Sequence, residues 1–269
     1  VDGIANGNSN YGGGAKANRY IDTENVQAVE VSQGTADIAS RSHEALGGTL
    51  NFTTIDPSME QGLVTSVTAG EFDASKYYVR YETGEIFKDT YAWVSLSSQE
   101  SSDFMQQAAE NTRDHLAMKF ISTVNDVSLT GFLSYDDTHE DNYQRIYGLA
   151  QYEQNPDWDQ LTDEWTGVPY QDQAYRRGWS TLRENLFAYL QAEFTIGQVD
   201  FMTNVYYHDN EGRGEWVPPY IVDITDDGTA GHSELVVGNT VYGGQELGQI
   251  YFVDRQGNQL SPIEGCQSS

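Results

Sequence analysis

Between Asn185 and Ile196 the chain sorts its side chains with period two. Leu186, Ala188, Leu190, Ala192, Phe194 and Ile196 fall on one face, and Asn185, Gln191, Glu193 and Thr195 on the other. A helix would scatter these residues around its axis, whereas a strand separates them cleanly. Six further runs read the same way. Leu63, Thr65, Val67 and Ala69 oppose Val64, Ser66 and Thr68. Tyr77, Val79 and Tyr81 oppose Lys76, Tyr78, Arg80 and Glu82, and Ala92, Val94 and Leu96 oppose Tyr91, Trp93, Ser95 and Ser97. Leu116, Met118 and Phe120 oppose His115, Lys119 and Thr123, and Val127, Leu129, Leu133 and Tyr135 oppose Ser128, Thr130 and Ser134. Val199, Phe201, Val205 and Tyr207 are expected outward, with Asp200, Asn204 and His208 inward. The expected fold class is all-β.

The connections are unequal. The links at 84–90, 124–127 and 196–199 are short, and 71–75 is short as well, while those at 98–112, 138–181 and from 209 onward are long. Short turns on one rim and long loops on the other match the periplasmic and extracellular sides of an antiparallel transmembrane β-barrel. Tyr91, Trp93, Tyr135, Tyr206 and Tyr207 lie near run ends, where they suit interfacial girdles and equally suit packing in a soluble core. No run approaches the roughly 18 apolar residues of a spanning helix. The mean hydropathy of −0.58 fits strands that are apolar on one face only. A net charge of −27 argues against nucleic acid as a partner. It suits solvated loops, or a lumen that attracts cations.

Upstream of the alternating runs the pattern differs. Residues 1–19 are rich in Gly and Asn and read as loop. Val26 to Ser32 alternate as a short strand that Gly34 ends, and Thr49 to Thr53 form a second short strand after Gly47 and Gly48. Adjacent glycines permit positive φ or close backbone approach, as a tight β unit requires. Asp56–Pro57 stops the pairing, since proline lacks the ladder's N–H. The chain opens at Val1 with no charged-then-apolar leader, so a signal peptide is expected to be absent or already removed. Cys266 is a lone thiol whose partner is expected beyond Ser269, unless it is incidental. Together these features suggest a fragment of a longer chain.

Val26, Val29, Glu30, Val31, Gly34, Ala45, Gly47, Gly48, Leu50, Asn51, Thr54 and Pro57 resemble the closing motif of the plug in TonB-dependent outer-membrane receptors. That motif is a strand of the type I-E-x-I-E-V, a glycine turn, a variable loop and A-x-G-G-x-I-N-x-x-T-x-x-P. Asp2–Gly3–Ile4 is similar to the family's D-G-V/I element. The resemblance covers Val1 to about His208. It implies the C-terminal part of a plug domain over 1–57, with Glu30, Gly34, Gly47, Gly48, Asn51 and Pro57 as its structural positions. Residues 58–269 would then be the first strands of a transmembrane barrel with long extracellular loops. The family's arginine and proline around the turn glycine are replaced by Gln33 and Thr35, so a plug–barrel salt bridge from that arginine is not expected. Arg41 is a substitute for it or a solvated loop residue. The resemblance places the TonB-contacting box outside this chain. The family barrel is of the plugged, roughly 22-stranded kind, so seven runs leave it incomplete.

Catalytic and metal-binding patterns are not found. His43, His115, His139, His208 and His232 lack ligand spacing. Asp136–Asp137 and Asp226–Asp227 read as turn or loop acids, with calcium the alternative. A non-enzyme without cofactor is expected. The resemblance implies active uptake of a scarce nutrient across the outer membrane of a Gram-negative bacterium, with lipid, TonB and a small-molecule ligand as partners. A ferric siderophore or other iron complex stands first as ligand, and an oligosaccharide second. The ligand-binding candidates are Arg41, His43, Tyr143, Tyr147, Trp158, Trp165, Tyr170 and Trp179. The same side chains would also serve to pack a loop cap. A secreted β-rich carbohydrate-binding module and a passive porin-like channel are the rival readings.

Overall fold

The computed structural model describes residues 1–5, 19–34, 47–105, 109–143, 149–154, 156–157, 159, 161, 176–178, 180–214, 232–237, 240–246, 252–253 and 259–260. Its main body is one seven-stranded antiparallel sheet: β3 (Gln61–Ala69), β4 (Ser75–Phe87), β5 (Thr90–Ser101), β6 (Asn111–Val124), β7 (Val127–Asp141), β8 (Ser180–Ile196) and β9 (Val199–Gly214). Each strand pairs only with its sequence neighbours, and the sheet is not closed. Ahead of it, β1 (Val26–Gln33) and β2 (Gly48–Thr54) form a separate antiparallel pair. All seven alternating runs are strands. β8 and β9 reach 17 and 16 residues, longer than the 9–11 that a transmembrane strand needs.

The register joins the faces as the periodicity requires. Leu63, Tyr81, Val94, Met118, Leu133, Ala188 and Tyr207 are successive cross-strand partners, so the apolar face runs unbroken across all seven strands. Along β8 that face extends from Leu186 to Ile196. At a strand rise near 3.4 Å and a tilt near 40° it spans about 26 Å, the height of the apolar band of an outer-membrane barrel. The tight connections are two-residue turns at Lys88–Asp89, Asn125–Asp126 and Gly197–Gln198, where Asp89, Asn125 and Gly197 take positive φ.

The opposite face is covered. The described residues of the N-terminal unit (1–5, 19–34 and 47–57) lie on this side, and the shared core joins Ile4, Tyr20 and Ile21 to Trp93, Phe132, Phe187 and Tyr189 of the wall. Rings dominate this contact: Phe132 stacks on Tyr189 at 5.7 Å, and Tyr20 meets Phe187 edge-on at 5.8 Å. Trp93 is therefore an inner-wall residue, 1% exposed, rather than a girdle residue. Its indole N–H donates to the carbonyl of Ile55. Tyr91 shares that inward face by strand alternation, while Tyr135 and Tyr207 stand on the outer face. The region after residue 209 is also not all loop. β9 continues to Gly214, and the pairs β10 (His232–Val237) with β11 (Thr240–Glu246) and β12 (Phe252–Val253) with β13 (Gln259–Leu260) follow. The link between β7 and β8 contains a short helix, α1 (Leu149–Gln154).

Candidate functional site

The motif residues of the N-terminal unit serve its local geometry. Glu30 and Asn51 are cross-strand partners, and the Asn51 amide donates to the Glu30 carboxylate at 3.1 Å. Gly48 has φ +127°, and a Cβ there would meet the carbonyl oxygen of Ser32 at 2.2 Å, so both reasons for a glycine apply. Gly34 ends β1 at φ +87°. Pro57 is buried at the crossing into the wall. Asp2 clamps the unit together. Its carboxylate accepts the Thr54 N–H, the Thr54 hydroxyl and the Tyr189 hydroxyl, each at 2.7 Å.

The unit is fixed to the wall by a buried polar network centred on residues 20–25. Asn25 donates to Ser95 at 2.8 Å and accepts from Tyr78 at 2.6 Å. Arg80 reaches the carbonyl of Glu24 at 3.0 Å while pairing with Glu82 at 2.7 Å. Asp22, 1% exposed, accepts from Lys76 and Ser97. Burial alone would raise the Asp22 carboxyl, but hydrogen bonds with Glu24, Lys76 and Ser97 and the Lys76 charge hold it down at about 2. Lower on the wall, Lys119 pairs with Asp56 at 2.8 Å and donates to the Thr54 carbonyl at 3.2 Å. Tyr20 hydrogen-bonds His208 on β9. Burial raises the Tyr20 hydroxyl above its ordinary pKa, with opposing contributions from Asn210 and Arg19.

Above this network, toward the long-loop rim, lies a cleft of about 550 Å³ between the unit and the wall. Arg19, Asp22, Lys76, Arg113, Asp136 and His139 line it. Arg113 pairs with the fully buried Asp136 at 2.6 Å and donates to the Ile21 carbonyl at 3.0 Å. His115 shares Asp136 at 3.0 Å. Beyond the cleft two loops meet: Arg176, on the link between β7 and β8, pairs with Asp159 at 2.5 Å and approaches Asp103 on the link between β5 and β6. Burial raises the Asp103 carboxyl, against the lowering effect of Arg176.

Among the expected ligand residues, Tyr143 stands exposed just past the end of β7. Arg41, His43, Tyr147, Trp158, Trp165, Tyr170 and Trp179 lie outside the described residues. The docking network itself is new relative to the sequence reading. Its ion pairs to the wall place acids on the N-terminal unit (Asp22, Glu24, Asp56) and lysines on the wall. The signal was the alternation itself: Phe187 and Tyr189 occupy the polar face of β8, and an aromatic pair there announces something apolar to cover.

An amphipathic antiparallel wall with a small β unit docked on its polar face is the fold of a plugged outer-membrane receptor, present here as an open part. The chain resembles the siderophore receptor PiuA from Acinetobacter baumannii at a TM-score of 0.54 and 16% identity, over 70% of this chain and 26% of that one. It likewise resembles the ferripyoverdine receptor of the outer membrane of Pseudomonas aeruginosa at 0.52 and 15%, over 77% of this chain and 29% of that one. The chain thus spans about a quarter of the length of these receptors. No protein-family model matches it, and no curated protein matches it in sequence.

Proposed function

We propose that this chain is the C-terminal part of a plug (residues 1–57) and the first part of a barrel wall (58–269) of a TonB-dependent receptor, resident in the outer membrane of a Gram-negative bacterium. Its task is uptake of a scarce nutrient, a ferric siderophore or other iron complex before an oligosaccharide. The observation that carries this reading is the docked unit. A seven-strand wall with a lipid-facing band about 26 Å high carries on its inner face a β unit held through an aromatic core and a buried polar network. A passive channel leaves that face to water. A secreted carbohydrate-binding module has no use for a continuous exposed aliphatic face on seven strands.

TonB would act on the plug, and ligand would enter from the long-loop side, where the cleft and the residues Arg41, His43, Tyr143, Tyr147, Trp158, Trp165, Tyr170 and Trp179 are expected. Two free edges, β3 and β9, would pair with the remaining strands, since lipid leaves no unpaired backbone. The test is to delete the gene in its host and measure uptake of radiolabelled iron from a panel of ferric siderophores under iron limitation. Loss of uptake for one chelate, restored by complementation, supports the reading. A gene product absent from the outer-membrane fraction overturns it.

A further inference from the structure

At the long-loop rim a three-membered charge cluster lies apart from the network that docks the N-terminal unit. Arg176, 1% exposed, comes from the link between β7 and β8, as does the fully buried Asp159. Asp103 comes from the link between β5 and β6. Arg176 pairs with Asp159 at 2.5 Å through one terminal nitrogen. The other donates to the Asn142 carbonyl, just past the end of β7, at 3.1 Å and stands 3.8 Å from the Asp103 carboxylate. That last separation is too long for a hydrogen bond. Asp103 Oδ1 is occupied, accepting the Met105 N–H at 3.0 Å. Asp103 Oδ2 and Arg176 Nε are buried with no hydrogen-bond partner among the described residues.

Two carboxylates thus share one guanidinium, and the cluster carries an excess negative charge when both are ionised. The neighbouring charges are already matched. Arg177 is taken by Glu110 at 3.2 Å, and His139 meets Asp141 at 2.8 Å, a carboxylate that also accepts the Glu110 N–H. When two carboxylates share a site, the one with the poorer partner takes the proton. Asp159 holds the close contact with Arg176, so that carboxyl is Asp103. Burial raises it, opposed by Arg176 and by the backbone N–H groups of Met105 and Ala109, with Asp159 adding to the rise. A carboxyl raised in the closed cluster binds its proton more tightly there than when the cluster is open. Closure therefore gains stability as pH falls toward about 4, and the gain is lost as pH rises through the raised value.

We propose that Asp103, Arg176 and Asp159 form a proton-operated clasp between the two links. One proton on Asp103 Oδ2 balances the charge of the cluster and tightens the junction, and its departure toward neutral pH loosens it. The inference goes beyond the uptake reading and stands whatever compound is taken up.

The experiment is hydrogen exchange of the complete receptor in lipid vesicles at about pH 7.5 and about pH 5, on either side of a raised carboxyl. It is read as protection factors relative to the intrinsic rate at each pH, for the amides of Met105, Ala109, Glu110, Arg176 and Arg177. Wild-type protection is expected to be at least about fivefold higher at the lower pH, the low end of what relieving one unpaired buried polar group brings. Asp103→Asn keeps the shape and removes the charge, so it is expected to be protected at both pH values as wild type is in acid. Asp159→Asn leaves Asp103 as the cluster's only carboxylate for Arg176, so its protection is expected to fall in acid, the opposite sign. His139→Gln is expected to keep the wild-type response, which separates the clasp from histidine titration. Equal or lower wild-type protection in acid overturns the clasp, and that arm requires no variant to fold. A response that survives in Asp103→Asn, keeps its sign in Asp159→Asn or disappears in His139→Gln overturns it as well.

Discussion

Leu190→Arg tests which face of the wall meets lipid. Leu190 stands near the middle of the apolar band on β8, in register with Ala92, Phe120, Gly131 and Val205, and is 49% exposed in the isolated chain. In a bilayer its surroundings are hydrocarbon, and an arginine at that depth costs about 2–4 kcal/mol. At 1.36 kcal/mol per decade this lowers the folded population ratio by about 30- to 900-fold. In a soluble protein a half-exposed position of this kind tolerates arginine within about 0.5 kcal/mol. The neighbouring Gln191 faces the other way, where its amide donates to Glu193 at 2.8 Å, and Gln191→Arg should cost under about 1 kcal/mol. The assay is urea titration of the complete receptor in lipid vesicles, followed by tryptophan fluorescence and by heat-modifiable migration. A loss confined to Leu190→Arg is the expected result. Equal small effects at 190 and 191 would refute the assignment of the aliphatic face to lipid, and with it the barrel.

Four further outcomes follow, three from the docking contacts and one from the outer face of the wall. Phe187→Ala removes a fully buried ring that touches Tyr20, Phe132 and Tyr189, and should cost about 3–5 kcal/mol in the same urea titration. Asp22 has a folded pKa near 2 against 3.8 unfolded, so it contributes about 2 kcal/mol above pH 4, lost as pH falls through about 2. The protection factors of residues 19–25, taken relative to the intrinsic exchange rate at each pH, should therefore fall below about pH 4 in wild type, and should already be low at neutral pH in Asp22→Asn. Lys119→Met leaves the Thr54 carbonyl without its donor and should cost about 1–2 kcal/mol, most of it from the buried hydrogen bond because Asp56 is largely exposed. Gly131 lies under the ring of Phe120, where a Cβ would come within 2.1 Å of the ring, so Gly131→Val should lower thermal stability while Gly131→Val combined with Phe120→Ala recovers part of the loss.

Strand existence, strand facing and the glycine-punctuated unit were legible in the residues themselves. Period two is a local property, and Leu186 to Ile196 declares its faces without help from any neighbour. Gly48 was legible for a similar reason: a close backbone approach excludes a side chain wherever the strand finally lies. The motif that resembles TonB-dependent receptors added the expectation of a small β unit ahead of the wall, and β1 with β2 form such a unit.

Tyr20, Asp22 and Asn25 were not legible, because nothing in a six-residue stretch after a Gly- and Asn-rich sequence says that a wall about 50 to 190 residues away will supply Lys76, Ser95 and His208. Trp93 near a strand end reads as a girdle residue although alternation sets it with Ser95 and Ser97, because only the docked unit supplies the Ile55 carbonyl that its indole meets. The arginines divide in the same way. Arg113 and Arg183 look alike in sequence, yet antiparallel pairing sets one beside Asp136 and the other opposite glycine. Alternation along a strand is set by backbone geometry, so the sequence alone determined the two faces. Which charges meet across those faces depends on strand register and on the docked unit, and both exist only once the chain has closed contacts over long separations.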